Sequence, residues 1–345
     1  MRISMPMQYA GEPKPVVDQV AELEKVGLDT VWVAEAYGYD SPTLMGYIAA
    51  RTERVNIGSA ILPLYTRTPA LIAQTAAGLD YLSDGRAVLG LGASGPQVIE
   101  GWHGVPYTKP LARTREIIEI CRKIWAREER VVHEGRVYTL PLPPEQGTGL
   151  GKPLKIINHP VRSAIPVFVA SLGEKNVELT AEVADGWLPH LFIPEKADAV
   201  WGAALARGKA KRDPALGELQ ISAGGLLAIG EGEETRKLAD LTRPMIALYV
   251  GGMGAKGKNF YNDVARRYGF EDAAERIQDL YLAGRKDEAA AAVPDEFVEL
   301  SNLVGPESYV RERVAAFREA GVTHLNVTPV GDDPVRLVEK LHSWL

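Results

Sequence analysis

Val55–Ala93, VNIGSAILPLYTRTPALIAQTAAGLDYLSDGRAVLGLGA, reads as strand, helix, strand. Val55–Ile61 is short and apolar, Pro69–Ser83 is a run of helix formers opened by a proline at a first-turn position, and Ala87–Ala93 is apolar again. The polar SDGR between the last two supplies the turn. Two apolar strands joined through a helix are the unit of a parallel sheet, because a parallel neighbour requires a crossover.

The same unit recurs on both sides. Upstream, Arg2–Tyr9 is a strand and Pro15–Val26 a helix with Val16, Val17, Val20 and Leu23 at helical spacing. Thr30–Ala36 (TVWVAEA) is a second strand, followed by a helix over Pro42–Arg51 with Ser41 as its capping residue. Downstream, Leu111–Ala126 completes a fourth unit. Pro166–Leu172 with Glu174–Ala184 makes a fifth, Gly186–Phe192 with Glu195–Lys211 a sixth, Gln220–Ile229 begins a seventh, and Thr323–Val330 with Asp333–Leu345 closes the series. Eight strands alternating with helices predict an α/β chain folded as one (β/α)8 TIM barrel over residues 1–345. Insertions are expected near 129–164, where Pro, Gly and a hairpin-like Glu134–Arg136 break the rhythm, and near 233–305, where helical material exceeds one barrel helix. A doubly wound sheet is the alternative, but its first turn would be glycine-rich, and here it reads QYAGEPK.

Bulk chemistry narrows the function classes. A formal charge of −6 and the absence of a long Lys/Arg run give no attraction for nucleic acid. No apolar run is long enough for a membrane span, and the first residues lack a leader pattern, so a cytoplasmic protein with no membrane partner is expected. The single cysteine, Cys121, falls on the apolar stripe Ile117, Ile118, Ile124, Trp125 and reads as a packed thiol. Six scattered histidines without metal-ligand spacing predict no metal.

In a barrel, chemistry sits where strands end and βα loops begin. Gly90–Gly95 (GLGASG) follows the fourth strand. It is weak as a dinucleotide fingerprint, yet its small residues let backbone N–H groups approach a phosphate. Gly252–Asn259 (GMGAKGKN) comes close to a P-loop, but Asn259 offers no hydroxyl and the preceding segment reads as helix, so the match is chance. Glu35, ending the second strand, is a candidate general acid or base or a ligand to a bound ring, the alternative being a salt bridge to Arg67. Glu100 is a second candidate acid, the alternative being an exposed helix residue. Among the histidines, His190 alone falls at a strand terminus and is the third candidate catalytic residue, the alternative being a surface or packed histidine.

The run Ile57–Gly104 has a further property, its order. A third strand leads into LYTRTPALIAQ (Leu64–Gln74), then Ser83–Arg86 (SDGR), then a strand ending LGLG. With PVFVASLG at Pro166–Gly173, AEVADGWL at Ala181–Leu188 and the closing GPESYVRERVAAFREAGVTHLNV, the chain resembles the luciferase-like monooxygenase superfamily along nearly its whole length. Within it the sequence is most similar to the branch dependent on the deazaflavin coenzyme F420. That branch includes methylenetetrahydromethanopterin reductases, glucose-6-phosphate dehydrogenases and secondary alcohol dehydrogenases. The resemblance implies a homodimeric F420-dependent oxidoreductase acting on a small molecule, with a cis peptide at Ala60–Ile61 behind the deazaflavin ring. It also implies a phosphate-side loop of Gly92, Ala93, Ser94, Gly95 and Pro96, and a small-residue turn of Ala170, Ser171, Leu172 and Gly173. Glu35 would lie at the ring edge, and Leu188, Pro189 and His190 on the cofactor's other side. Where several members of that branch carry Asp-His after the second strand, this chain has Glu35-Ala36, which removes imidazole chemistry there, weakens the case for alcohol or sugar-phosphate dehydrogenation and puts reduction of an activated double bond or imine at least level with it. Two alternatives stand beside this one: an FMN-dependent monooxygenase and a non-catalytic flavin-binding barrel.

Overall fold

The computed structural model describes residues 1–7 and 11–345; Gln8 and Tyr9 of the first expected strand, and part of the turn after it, lie outside these. Eight parallel strands close into a ring among the described residues: β1 (Arg2–Met7), β2 (Leu28–Val33), β3 (Asn56–Ser59), β4 (Ala87–Gly92), β5 (Val167–Ala170), β6 (Gly186–Leu188), β7 (Gln220–Ala223) and β8 (His324–Asn326). Each pairs with its neighbour in chain order, and β8 returns to β1 through Arg2 opposite His324. The (β/α)8 barrel expected from the alternation is therefore the observed fold.

Helices α1 (Pro13–Leu23), α2 (Ser41–Arg51), α3 (Pro69–Leu82), α4 (Pro110–Ala126) and α5 (Glu174–Val183) cover the outside; α1 buries Val17, Val20 and Leu23 of its expected stripe with Val16 half-buried, and α4 buries Ile117, Ile118, Cys121, Ile124 and Trp125. Cys121 is fully buried on α4, and burial pushes its thiol well above the ordinary range, as a packed cysteine requires. The cap of α2 corrects the sequence reading. Asp40 accepts the N–H of Thr43, whereas Ser41 is buried and turned to Glu35.

The inside of the barrel is a packed plug. Trp32 and Phe168 meet at 5.1 Å between ring centroids, with Val88 beside them and Ala60 and Leu188 above. Glycine opposite each ring makes the room, since a Cβ at Gly58 would lie 2.3 Å from the Trp32 ring and one at Gly186 2.2 Å from Phe168. Below, Ser4, Ser222 and Asn326 link β1, β7 and β8 by hydrogen bonds.

Two long expected strands are each broken in two. Gln220–Ile229 leaves the barrel at Gly224-Gly225 and resumes as Leu226–Ile229, and Thr323–Val330 resumes as Thr328–Pro329. Both second halves join Leu303–Gly305, a strand inside a segment read as helical, to make a separate three-stranded parallel sheet. The segment Glu233–Ser301 is otherwise a succession of helices. Between α4 and β5 the chain forms the hairpin His133–Glu134 with Thr139–Leu140, held by the Glu116 carboxylate, which accepts the N–H groups of Arg136, Val137 and Tyr138.

Candidate functional site

The register brings three expected cofactor positions to one level. Gly92 lies opposite Ala170, and Ala170 opposite Leu188, so the ends of β4, β5 and β6 form one continuous stretch of rim. The end of β3 meets it from the other side. There the ladder is interrupted at Ala60–Ile61, whose peptide is cis, and pairing resumes with Leu62 and Pro63 opposite Leu91 and Gly92. The Ser59 hydroxyl fills the gap by donating to the carbonyl of Gly90 and accepting its N–H. A Cβ at Gly90 would lie 1.7 Å from the Ser59 carbonyl oxygen, and one at Gly92 2.8 Å from the Ile61 side chain, so both glycines admit the bulge.

Beyond Gly92 the chain turns through Ala93, Ser94 and Gly95 into the short helix Pro96–Gly101. Ser94 is left-handed, with φ +58°, and its carbonyl accepts the Tyr107 hydroxyl at 3.4 Å. After β5, the indoles of Trp187 and Trp201 donate to the carbonyls of Ser171 and Leu172, both at 2.9 Å. Those carbonyls are thereby turned into the core, and α5 opens directly after them, where the helix dipole favours an anion.

At the end of β6, His190 packs against two rings that no local sequence pattern announces. Tyr249 lies 4.0 Å away and Tyr261 5.7 Å, both from the helical segment that precedes β8. Burial pushes the imidazole down to about 4, and its Nε2 is buried with no hydrogen-bond partner among the described residues. The following turn, with Leu191 at φ +55°, is fixed by the Tyr268 hydroxyl, which donates to the Leu191 carbonyl and accepts the N–H of Ile193. The P-loop-like segment reaches the same rim, but Asn259 uses its amide to cap the helix Phe260–Arg267 and to hold the carbonyls of Tyr249 and Val250.

The two candidate acids follow β2 and the loop after β4. Glu35, past the end of β2, receives four donors: Arg67 Nη1 on Oε1 at 2.6 Å, Arg67 Nη2 on Oε2 at 3.0 Å, and the N–H and hydroxyl of Ser41 on Oε2. The salt bridge weighed against a site role is thus present. Glu100 is exposed on the helix Pro96–Gly101 and accepts the N–H of Tyr107. Arg113 is also committed, donating to the Tyr138 hydroxyl and lying 4.6 Å from the Tyr65 ring.

Residues 1–324 match the family model for luciferase-like monooxygenase. A Mycobacterium tuberculosis protein that carries the name coenzyme F420-dependent oxidoreductase is 42% identical over 97% of each chain. The 5,10-methylenetetrahydromethanopterin reductase of Archaeoglobus fulgidus is 27% identical over 92% of this chain and 90% of its own. Among solved structures, the coenzyme F420 dependent tetrahydromethanopterin reductase of Methanopyrus kandleri superposes with a TM-score of 0.79 at 22% identity, covering 100% of this chain and 98% of that one.

Proposed function

Because the chain belongs to the luciferase-like monooxygenase family, we propose that it is a coenzyme F420-dependent oxidoreductase that moves a hydride to or from a small organic substrate at the C-terminal mouth of the barrel. The observation that carries this reading is the full-length likeness to the mycobacterial protein named as a coenzyme F420-dependent oxidoreductase. The residues present fit the coenzyme. Ala60 and Ile61 form a bulge that would back a ring, the small residues of Gly92–Pro96 and Ala170–Gly173 would hold the phosphate-bearing tail, and Leu188, Pro189 and His190 would meet the coenzyme from β6. The buried, unpartnered Nε2 of His190 is a polar atom that such a ligand would satisfy.

When bound, F420 supplies a carbon centre that gives or takes hydride and does not readily activate oxygen. This chain's own work is to position the substrate carbon, exclude water and handle one proton. Glu35, with both oxygens clasped, holds Arg67 and the loop after β2 in place. Glu100 carries the proton. Alanine at position 36 leaves no imidazole beside Glu35, which favours reduction of an activated double bond or imine.

The decisive experiment titrates the purified chain with F420 and with FMN, then mixes the loaded protein with a panel of enones, imines and alcohols while following deazaflavin absorbance. F420 should bind, and at least one substrate should discharge the reduced form. Tight FMN binding with oxygen-consuming turnover and no F420 binding would instead select a monooxygenase. Binding without turnover of any substrate would select a cofactor-holding barrel. Glu100→Gln should keep F420 affinity and slow hydride transfer by about 10²–10⁴-fold.

We also read the protein as cytosolic and homodimeric, with the whole chain one unit and 129–164 and 233–305 as insertions. No helix among the described residues is long and apolar enough to cross a membrane. Helices α2 and α3 expose Tyr47, Leu71, Tyr81 and Leu82, apolar surface that a second copy of the chain would cover. Sedimentation should give the mass of two chains.

A further inference from the structure

The mouth of the barrel carries an exposed aromatic pair that the cofactor reading does not use. Tyr37, in the loop after β2, and Trp102, at the end of the helix Pro96–Gly101 after β4, meet with ring centroids 6.4 Å apart. They are 63% and 67% exposed, and Tyr39 beside them is 82% exposed. In the ring of strands β3 lies between β2 and β4, so a contact between the loops of β2 and β4 spans the end of β3, where the Ala60–Ile61 bulge sits. Exposed rings elsewhere on a surface need no explanation. Two that meet across the catalytic rim present flat apolar surface to whatever lies there.

Charge at the same place is spent. Arg67 is held by Glu35, Arg113 by Tyr138 and Tyr65, and Lys109 donates to the Arg136 carbonyl. Asp40 caps α2, and Glu100 is acidic. Among the described residues of the loops after β2 and β3 the one arginine, Arg67, is taken by Glu35, so an anionic group laid over the rings from that side would lose water without gaining a free cation.

We propose that Tyr37 and Trp102 form the substrate wall of this enzyme and that the substrate is a flat, uncharged molecule, an aryl or polycyclic enone or imine, and not a phosphorylated sugar. This rests on the reading of the mouth as the hydride-transfer site, but the wall can be tested by binding alone.

The probes are 2-acetylnaphthalene, flat and neutral, and glucose 6-phosphate, anionic and not aromatic. Each is titrated calorimetrically into the full chain, with and without F420, for the natural sequence and for Tyr37→Ala, Trp102→Ala and Trp102→Phe. F420 affinity is read separately from deazaflavin fluorescence, and thermal midpoints verify folding. The aryl ketone should bind saturably, about tenfold more weakly in each alanine variant, the scale of one lost ring contact plus its buried area. Trp102→Phe should recover most of the affinity, F420 affinity should be constant across the series, and glucose 6-phosphate should not saturate. Absence of saturable aryl-ketone binding, equal affinity in Trp102→Ala, or tighter binding of glucose 6-phosphate would each overturn the wall while leaving F420 binding intact. If Trp102→Ala halves the mass in solution, the rings are a subunit contact and the proposal falls. Failure of F420 to bind the natural chain would count against the proposed function, and the titrations without F420 would still decide the wall.

Discussion

The Arg67 guanidinium grips the Glu35 carboxylate at two points, with 13% and 7% of the two side chains exposed. A two-point pair in this setting is a strong charge-assisted contact, and breaking one side strands the other charge. Glu35→Gln should therefore destabilise the fold by about 3–5 kcal/mol. Arg67→Met should cost less, because the two Ser41 donors still serve the carboxylate. The double variant should be more stable than the sum of the two losses predicts, which urea unfolding of all four proteins measures as a coupling energy. Hydride transfer at saturating F420 should stay within a few-fold in Glu35→Gln. A hundredfold fall at unchanged stability would return the proton to Glu35.

Ser94 and Arg113 separate two ways of holding a phosphate. Ser94 is left-handed, which glycine tolerates and a β-branched residue does not. Ser94→Gly should preserve both stability and F420 affinity. Ser94→Val should cost about 1–2 kcal/mol and weaken F420 binding at least tenfold, since the loop backbone is the binding element. Arg113, packed between the Tyr65 and Tyr138 rings, should behave oppositely. Arg113→Ala should lower the thermal midpoint and leave F420 affinity unchanged by fluorescence titration. The reverse pattern would transfer the phosphate to the arginine.

The barrel was legible because hydrophobic periodicity is local and repeats eight times, and the rim followed because β4 and β5 end where their apolar runs meet small residues and β6 ends at Pro189. What was not legible depends on partners far away in sequence. Nothing in the run Gln220–Ile229 marks that Gly224 and Gly225 press on the carbonyls of Asn326 and Ser301, where a Cβ would come within 2.3 and 2.1 Å. An apolar run states that a strand exists and is silent on where its neighbours change. The cap of α2 failed for a related reason. Asp40 and Ser41 are both good caps, and the choice was settled by Glu35 drawing the Ser41 hydroxyl away. Glu35 itself was placed correctly on the rim, but only geometry could decide that Arg67 would reach it. For His190 the strand terminus was visible, and its rings, Tyr249 and Tyr261, come from a segment with no pattern that points to β6.

Arg86, the last residue of the SDGR turn, shows that a motif can report stability instead of chemistry. Its guanidinium donates to the carbonyls of Ser83, Ala49, Thr52 and Val55 and to the Thr52 hydroxyl, tying the C-terminal end of α2 to the start of β4. This is the end of the barrel opposite the mouth, where residues serve the fold. Arg86→Ala orphans several carbonyls at once and should lower unfolding free energy by about 2–4 kcal/mol, read from the urea midpoint. Arg86→Lys should recover less than half of that, because one ammonium cannot reach so many acceptors. Neither should alter F420 affinity beyond a few-fold; a selective loss of binding in a stably folded Arg86→Lys would connect this end to the site.

Two imidazoles make stability depend on pH. Burial pushes both His190 and His324 down to about 4, and at His324 the charges of Arg2 and the N-terminus add to it. His324 is 4% exposed inside the barrel, its ring edge-on to Phe168 and its Nδ1 3.0 Å from the Thr323 hydroxyl. In the unfolded chain each imidazole titrates near the usual value of about 6.5. Between about 4 and 6.5 the unfolded state thus binds more protons than the folded one, so acid favours unfolding. The stabilisation is fully present above about 6.5 and is lost as pH falls toward 4, by up to about 3 kcal/mol per histidine over the whole window. Urea midpoints should be flat from pH 8 to 7 and should fall between 6.5 and 5, before ordinary carboxylates begin to titrate. His324→Gln, although less stable at pH 7.5, should show about half the slope over that interval, and adding His190→Gln should flatten it. A flat profile for the natural chain, or a native-state NMR titration of either ring near 6.5, would mean that water reaches these imidazoles and that the barrel plug and the Tyr249 stack are looser than their packing shows.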